Sequence, residues 1–226
     1  MIRQDYILRI IEQFAQALAR IKHLKQNREF PEAVKALEDA SQTFFGLDAA
    51  SVSALSEGQL MARLISGEST HLIREKALML VTLLNEAAEL HLAQNQMKQG
   101  RACLLKALNL LLEVVLRDPE TGLPDLVPSI QGLANQLEGS ALPVRTNAAL
   151  MQHFEQIGSF GKAEDQLFEI IASEPNNPAV LDLGIGFYQR LLQESDPVLQ
   201  GGDLPRTEVE AGLAELHERR KIAKES

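Results

Sequence analysis

The residues of this chain that could carry out chemistry are few. Cys103 is the single cysteine, and it lies in the most apolar stretch of the sequence, residues 102–116. A thiol in such a helix behaves as a small hydrophobic group with a raised pKa, which disfavours a nucleophilic role. The spacing Glu-x-x-His occurs once, at Glu68 and His71, whereas helical di-iron sites need two copies of it and further glutamates. The sequence also lacks the glycine-rich loops that hold nucleotides and the Cys-x-x-Cys pairs that hold zinc. We therefore predict no catalytic residue, no metal site and no cofactor.

A second group of polar residues lies in the middle of the chain. Glu86 and Glu89 fall within one turn of a predicted helix, where two carboxylates repel unless they are solvated or paired. We expect an interhelical ion pair with Arg101 or Lys106. His91 follows on the same helix, and a core histidine that is hydrogen-bonded to a neighbouring segment is the simpler interpretation. The alternative is a helical small-ligand sensor or enzyme with a polar pocket near Glu86, Glu89 and His91, which an apolar cavity with a few convergent polar groups would favour.

The net charge and the single cysteine of the chain indicate which partners and which compartment to expect. The 226 residues carry a formal net charge of −9, so the average field repels phosphate backbones and anionic lipid headgroups. We expect neither nucleic acid nor a membrane as a partner. The first residues run directly into a periodic helix rather than an apolar leader, and one unpaired cysteine suits a reducing compartment. These observations predict a cytoplasmic protein.

The elements that would position these residues are helices. Between residues 6 and 25 the apolar residues recur every three or four positions, which predicts a helix with Asp5 as its N-cap. Pro31 fits the first turn of a second helix, so the two form a hairpin. Ser56-Glu57-Gly58-Gln59 is a capping box that opens a short bridging helix. The helix pair over residues 72–116 is apolar on most sides, which predicts burial at the centre of the molecule.

The rest of the chain continues this organisation. A helix is predicted over residues 125–137, and a third helix pair runs from Val144 to Ser173. Asn177-Pro178 caps and opens a further helix. The pattern Thr207-Glu208-Val209-Glu210 is a second capping box, and it opens a strongly charged terminal helix.

The third helix pair resembles a tetratricopeptide (TPR) repeat. With Pro175 as the closing proline of the motif, the small residue twelve positions earlier falls on Ala163, and the turn falls on Gly158. Leu150 and Phe154 stand where the first helix of the motif carries a leucine and an aromatic residue. The resemblance implies antiparallel hairpins that stack in an array.

Taken with the periodicity, this predicts an all-α fold: a TPR-like array of antiparallel helix hairpins with short bridging helices, arranged as an α-α superhelix or a compact bundle. We predict one helical-repeat domain over residues 1–205 and a loosely docked charged C-terminal helix over residues 206–226. The segments MIRQDYI at residues 1–7, NEAAELH at residues 85–91 and GFYQRLL at residues 186–192 resemble an uncharacterised bacterial domain family of unknown function. That resemblance implies the helical-repeat fold and no activity.

Stacked helix pairs leave a continuous concave face that suits a peptide or a helix. We therefore expect a non-enzymatic adaptor or scaffold that binds a protein or peptide partner. Position in the TPR motif assigns Arg145, Gln152 and Glu155 to that face, and Glu86 and Glu89 are further candidate contacts. A second copy of the chain, forming a homodimer through the first or last helix, is an alternative partner.

Overall fold

The computed structural model describes residues 2–65 and 70–225, and these residues form twelve helices and no strand. The prediction of an all-α chain with packed antiparallel helix pairs is confirmed for them. In chain order the helices are α1 (Ile2–Gln26), α2 (Phe30–Phe45), α3 (Ala49–Ala54), α4 (Glu57–Ile65), α5 (Thr70–Ala93), α6 (Met97–Arg117), α7 (Ile130–Gln136), α8 (Val144–Gln156), α9 (Phe160–Ser173), α10 (Pro178–Leu191), α11 (Asp196–Gly201) and α12 (Arg206–Glu225).

The chain divides into two compact units, residues 1–140 and residues 141–226. This division differs from the expected one, which separated the last helix from everything before it at residue 205. The physical reason is that α12 packs along α10, with Val209 and Leu216 buried. The observed boundary falls instead in the proline- and glycine-punctuated stretch that follows α6.

The first unit is built around α5. The hairpin of α1 and α2 packs against one side of α5, and α6 packs against another. Alanines on α2 allow close approach of the helices in the core that α1, α2 and α5 share, which is formed by Phe14, Leu18, Ile21, Ala33, Ala36, Ala40, Met79, Leu83 and Leu90. Burial of both α5 and α6 on most sides agrees with their nearly continuous apolar sequence.

The short helices α3 and α4 bridge the two helix pairs of this unit. The predicted capping box is present: the Ser56 N–H donates to Gln59 Oε1 at 2.9 Å, and the Gln59 N–H donates to Ser56 Oγ at 3.3 Å. Lys106 of α6 donates from Nζ to the carbonyl oxygens of Val52 and Leu55 at 2.7 and 2.8 Å. These carbonyls lie at the C-terminal end of α3, where a cation complements the helix dipole. Lys106 therefore fixes α3 against α6.

The second unit begins with the predicted helix pair, found as α8 and α9. Asn177 caps α10 as expected, because its Oδ1 accepts the Ala179 N–H at 2.9 Å. The helices α10 and α12 run antiparallel, since three contacts connect them in opposite order along the chain: Asp182 with Arg220, Gly184 with Leu216, and Tyr188 with Gly212. A methyl group on either glycine would overlap the side chain opposite, so the two glycines set the close spacing of this pair.

Three predicted helix starts are wrong. α12 begins at Arg206, so Thr207 lies inside its first turn rather than at the N-cap, and the Val209 N–H donates to the Pro205 carbonyl oxygen. α1 begins at Ile2, so Asp5 lies in its first turn rather than at the N-cap. The helix predicted over residues 125–137 is shortened to α7, and its N-cap is Ser129, whose Oγ accepts a backbone N–H of the first turn at 3.0 Å. Pro128 immediately precedes this cap, and the residue before a proline avoids helical backbone angles.

Candidate functional site

A buried carboxylate lies between α1 and α5 in the first unit. Glu86 is 2% exposed, and Lys25 Nζ donates to Glu86 Oε2 and to Glu89 Oε2. Lys22 Nζ lies 3.5 Å from the other carboxylate oxygen of Glu86. An interhelical ion pair was expected here with cations from α6. The structure supplies Lys25 and Lys22 of α1, because the face of α5 that carries both glutamates is turned towards α1.

This ion cluster, which consists of Lys22, Lys25, Glu86 and Glu89, raises the pKa of Lys25. Burial by itself lowers the pKa of the amine, but the hydrogen bonds and negative charges of the two glutamates outweigh that effect. The cluster lines a cleft of about 430 Å³. Because Glu86 is buried and held by two lysines, it links α1 to α5.

A larger and mostly apolar cavity lies on another side of α5. This cavity, called the α5 cavity below, has a volume of about 540 Å³ and is bounded by α2, α3, α5 and α6. Leu80, Leu84, Ala87 and His91 line it from α5 at steps of four and three residues, which is the spacing of one helix face. At 1.5 Å per residue this stripe is about 16 Å long. The α5 cavity is therefore elongated along the helix axis.

Polar groups stand at both ends of the α5 cavity. Ser41, near the C-terminal end of α2, is 3% exposed, and its Oγ has no hydrogen-bond partner. Lys106 lies at the same end, where it holds α3. At the other end, next to the turn between α5 and α6, lie His91 and the exposed Lys98. Nδ1 of His91 is 2.6 Å from Gln96 Oε1. This histidine is therefore hydrogen-bonded as expected, but it is half-buried rather than a core residue.

Cys103 also lines the α5 cavity. Burial raises the pKa of its thiol, and the positive charge of Lys106 offsets only part of that increase. The thiol is therefore protonated at neutral pH, in agreement with its predicted behaviour as a small hydrophobic group.

The residues proposed for a polar pocket, Glu86, Glu89 and His91, do not share one. His91 follows Glu86 by five residues, which places it about 140° further round the helix at 100° per residue. Glu86 and Glu89 line the cleft of the ion cluster, whereas His91 lines the α5 cavity. An apolar cavity with polar groups is present in the first unit, but it lacks Glu86 and Glu89. Its polar lining residues are Glu38, Ser41, His91, Lys98, Gln99 and Lys106.

An open cleft in the second unit contains two of the predicted contact residues. This α8–α10 cleft has a volume of about 710 Å³. Gln152 and Glu155 line it from α8, and Leu183 and Val198, which are 40% and 45% exposed, line it from α10 and α11. Arg145 is exposed two turns before Gln152, on the same side of α8, and it does not line the cleft.

Charge and apolar surface are separated within the α8–α10 cleft. Arg190 of α10 donates from Nε and Nη2 to the two carboxylate oxygens of Glu155 at 2.6 and 2.9 Å, a fork that fixes both side chains. The hydrogen bonds from Arg190 to Glu155 raise the pKa of the guanidinium group. Met151, Phe160 and Leu191 are buried and line the same cleft. The cleft therefore has an apolar floor and a rim that carries charge.

Sequence reasoning did not select Ser41, Leu183 or Val198. Ser41 follows Leu37 by four residues on the face of α2 that carries its apolar residues, so a polar residue in an apolar stripe was a detectable signal. Leu183 and Val198 carried no signal of their own, since an exposed apolar residue cannot be told from a buried one by its type.

Neither a metal-binding cluster nor a membrane-spanning helix is found among the residues that the structure describes. Among those residues, no group of three or more His, Cys, Asp or Glu is placed to hold a metal ion. Glu68 and the side chain of His71, which form the only Glu-x-x-His motif noted above, lie outside the described residues. No described helix has both the length and the apolarity that a membrane span requires.

Comparison with known proteins gives a family and no activity. Residues 1–221 match a family of unknown function, DUF6483, and the chain belongs to that family. No curated protein and no solved structure matches it significantly.

Proposed function

We propose that this member of the DUF6483 family is a non-enzymatic interaction module that binds a peptide or a partner helix in the α8–α10 cleft. The single observation that carries the proposal is the pair of exposed apolar side chains, Leu183 and Val198, at the edge of a cleft with an apolar floor. Apolar groups that line a concave surface and remain exposed are typical of contact sites.

The arrangement of the cleft supports a peptide ligand over a small molecule. The cleft is open along its length between α8 and α11, and its rim offers the amide of Gln152 and the charged pair of Glu155 and Arg190. Rims of this kind surround the apolar centre of protein interfaces. An apolar anchor of the ligand would occupy the floor, and polar groups of the ligand would meet the rim.

The proposed function extends to the type of surface, the source and the location of the protein. We infer a TPR-like concave face, because Gln152 and Glu155 were assigned to it by motif position and both line the cleft. We also infer a bacterial cytoplasmic protein, from the resemblance of three segments and from the single unpaired cysteine. A second copy of this chain is one form that the partner helix could take.

The test uses a photo-crosslinking amino acid in place of Val198, expressed in the source organism. The proposal predicts one dominant cross-linked protein, whose mass distinguishes a foreign partner from a second copy. Leu183→Glu should abolish the product, because it places a charge over the apolar floor.

The matched control is Phe168→Glu, which changes another exposed apolar residue of the same unit, 48% exposed, that does not line the cleft. It should leave the product intact. Equal loss with both variants, or no product above that of a cross-linker placed at Phe168, would refute the assignment of the cleft.

A further inference from the structure

The α5 cavity has the features of a small-molecule site rather than a gap in packing. Its volume of about 540 Å³ lies in the range of ligand pockets, and half of the residues that line it are leucine, valine or alanine. Val52 of α3 closes one end, and Lys106 fixes α3 there through two hydrogen bonds. Several of its lining residues are exposed, so the cavity is accessible from outside: Glu38, Lys98, Gln99 and Ala102. Its elongated shape suits a slender molecule that lies along α5.

One polar atom in the cavity lacks a partner. Ser41 Oγ is buried and makes no hydrogen bond, although buried hydroxyl groups are normally satisfied and an unsatisfied one is costly. Ser41 lines the cavity near its closed end. A ligand with an acceptor atom at that end would satisfy the hydroxyl, which can donate its hydrogen to the ligand.

The charged residues that line the cavity give it a net positive charge, whereas the chain as a whole is negatively charged. Its lining carries two lysines, Lys98 and Lys106, and one glutamate, Glu38, whereas the chain as a whole has a formal charge of −9. Lys106 adds positive charge to the cavity that Ser41 lines. The charge of Lys106 favours an anionic group, and the hydroxyl of Ser41 needs a hydrogen-bond acceptor. A carboxylate is both.

We propose that the α5 cavity binds a medium-chain monocarboxylate, with the carboxylate at Ser41 and Lys106 and the alkyl chain along α5 towards His91. The stripe of Leu80, Leu84 and Ala87 supplies apolar contact along the chain. The site belongs to the first unit and does not depend on the peptide cleft of the second.

The test is calorimetric titration of the full chain with hexanoate, octanoate and decanoate, below their micellar concentrations. Decanoate should bind with one-to-one stoichiometry. The affinity should rise about fourfold for each added methylene while the cavity fills, which is the increment for burying a methylene group. Decylammonium, which has the same alkyl chain and the opposite charge, should bind at least tenfold more weakly. No decanoate binding, no dependence on chain length, or equal binding of decylammonium would overturn the proposal.

The variant Ser41→Ala tests whether the Ser41 hydroxyl binds the ligand or only stabilises the fold. Removing an unsatisfied hydroxyl should raise the melting temperature of the free protein, whereas decanoate affinity should fall about tenfold, the usual effect of losing a hydrogen bond to a charged group. Lys98→Gln, at the open end, should change the affinity less than twofold. The reverse pattern, with Lys98 essential and Ser41 dispensable, would refute the placement of the carboxylate.

Blocking the cavity gives an independent check. Ala102 is an exposed residue of α6 that lines the cavity, and Ala19 is an exposed residue of α1 that does not. Ala102→Leu should reduce decanoate affinity at least tenfold, and Ala19→Leu should leave it unchanged. Equal effects of the two variants would show that decanoate binds elsewhere.

Discussion

Lys25→Met should destabilise the first unit far more than Lys22→Met, although both remove one positive charge from α1. The Lys25 side chain is 17% exposed and bonds both Glu86 and Glu89, whereas the Lys22 side chain is 44% exposed and lies 3.5 Å from Glu86. Removing one partner of a buried pair leaves an uncompensated charge and costs about 3–5 kcal/mol. Because Lys22 remains and Glu89 is partly hydrated, we expect about 3 kcal/mol for Lys25→Met. Lys22→Met should cost under about 1 kcal/mol, as exposed pairs do.

A double-mutant cycle tests whether this cost comes from the Glu86 carboxylate that Lys25→Met leaves without its main partner. Combining Lys25→Met with Glu86→Leu removes both charges and replaces them with apolar groups, which is often nearly neutral. The double variant should therefore lie within about 1 kcal/mol of the wild type, with a coupling energy of about 2–3 kcal/mol between the two positions.

The assay is urea unfolding followed by far-ultraviolet circular dichroism, since the chain has no tryptophan. A cost for Lys25→Met no larger than that for Lys22→Met, or additive costs in the double variant, would refute the reasoning. The pH dependence adds a second readout. Because the folded pKa of Lys25 is raised above its ordinary value of 10.5, its contribution is full below that pH and is lost as the pH rises through the raised value.

Three further variants test single contacts. Gly212→Ala should destabilise the second unit by about 1–3 kcal/mol through overlap with the Tyr188 ring, while Gly186→Ala in α10 should be neutral or stabilising, as chemical denaturation would show. Burial lowers the pKa of His153 below its ordinary 6.5, so the wild type should lose stability as the pH falls below about 6.5. In His153→Phe this loss should be smaller, and melting temperatures measured above and below about pH 6.5 should differ less than in the wild type. Ser41→Ala should raise the melting temperature of the free protein, and a lower one would show that its hydroxyl has a partner.

The helices were predictable because their signals are local. Apolar spacing identified the helices of the three pairs, and the side chains of Ser56 and Asn177 marked helix starts that the structure confirms. Capping depends on atoms within one turn, so the sequence contains the whole interaction. The wrong starts are at Asp5, at Thr207 and in residues 125–137. At Asp5 and Thr207 the helix extends past a good capping residue, and in residues 125–137 a proline limits the backbone of the preceding residue.

The candidate sites could be predicted only in part. Motif spacing selected Gln152 and Glu155, and in the structure both line the α8–α10 cleft, whereas Arg145, selected by the same spacing, does not. The separation of His91 from Glu86 was also contained in the sequence, since five residues carry a side chain about 140° round a helix. The partner of Glu86 was not, because Lys25 is 61 residues away along the chain.

Sequence by itself therefore determined that this chain is helical, which residues share a face of each helix, and that the two carboxylates of Glu86 and Glu89 must be either solvated or paired. Tertiary structure alone decided that Lys25 and Lys22 pair with them, that α12 belongs to the second unit, and that α2, α3, α5 and α6 leave a cavity around Ser41. The physical reason is that periodicity sets directions around one helix axis. Which neighbour covers each face depends on side chains far apart in sequence that pack together only in the folded chain.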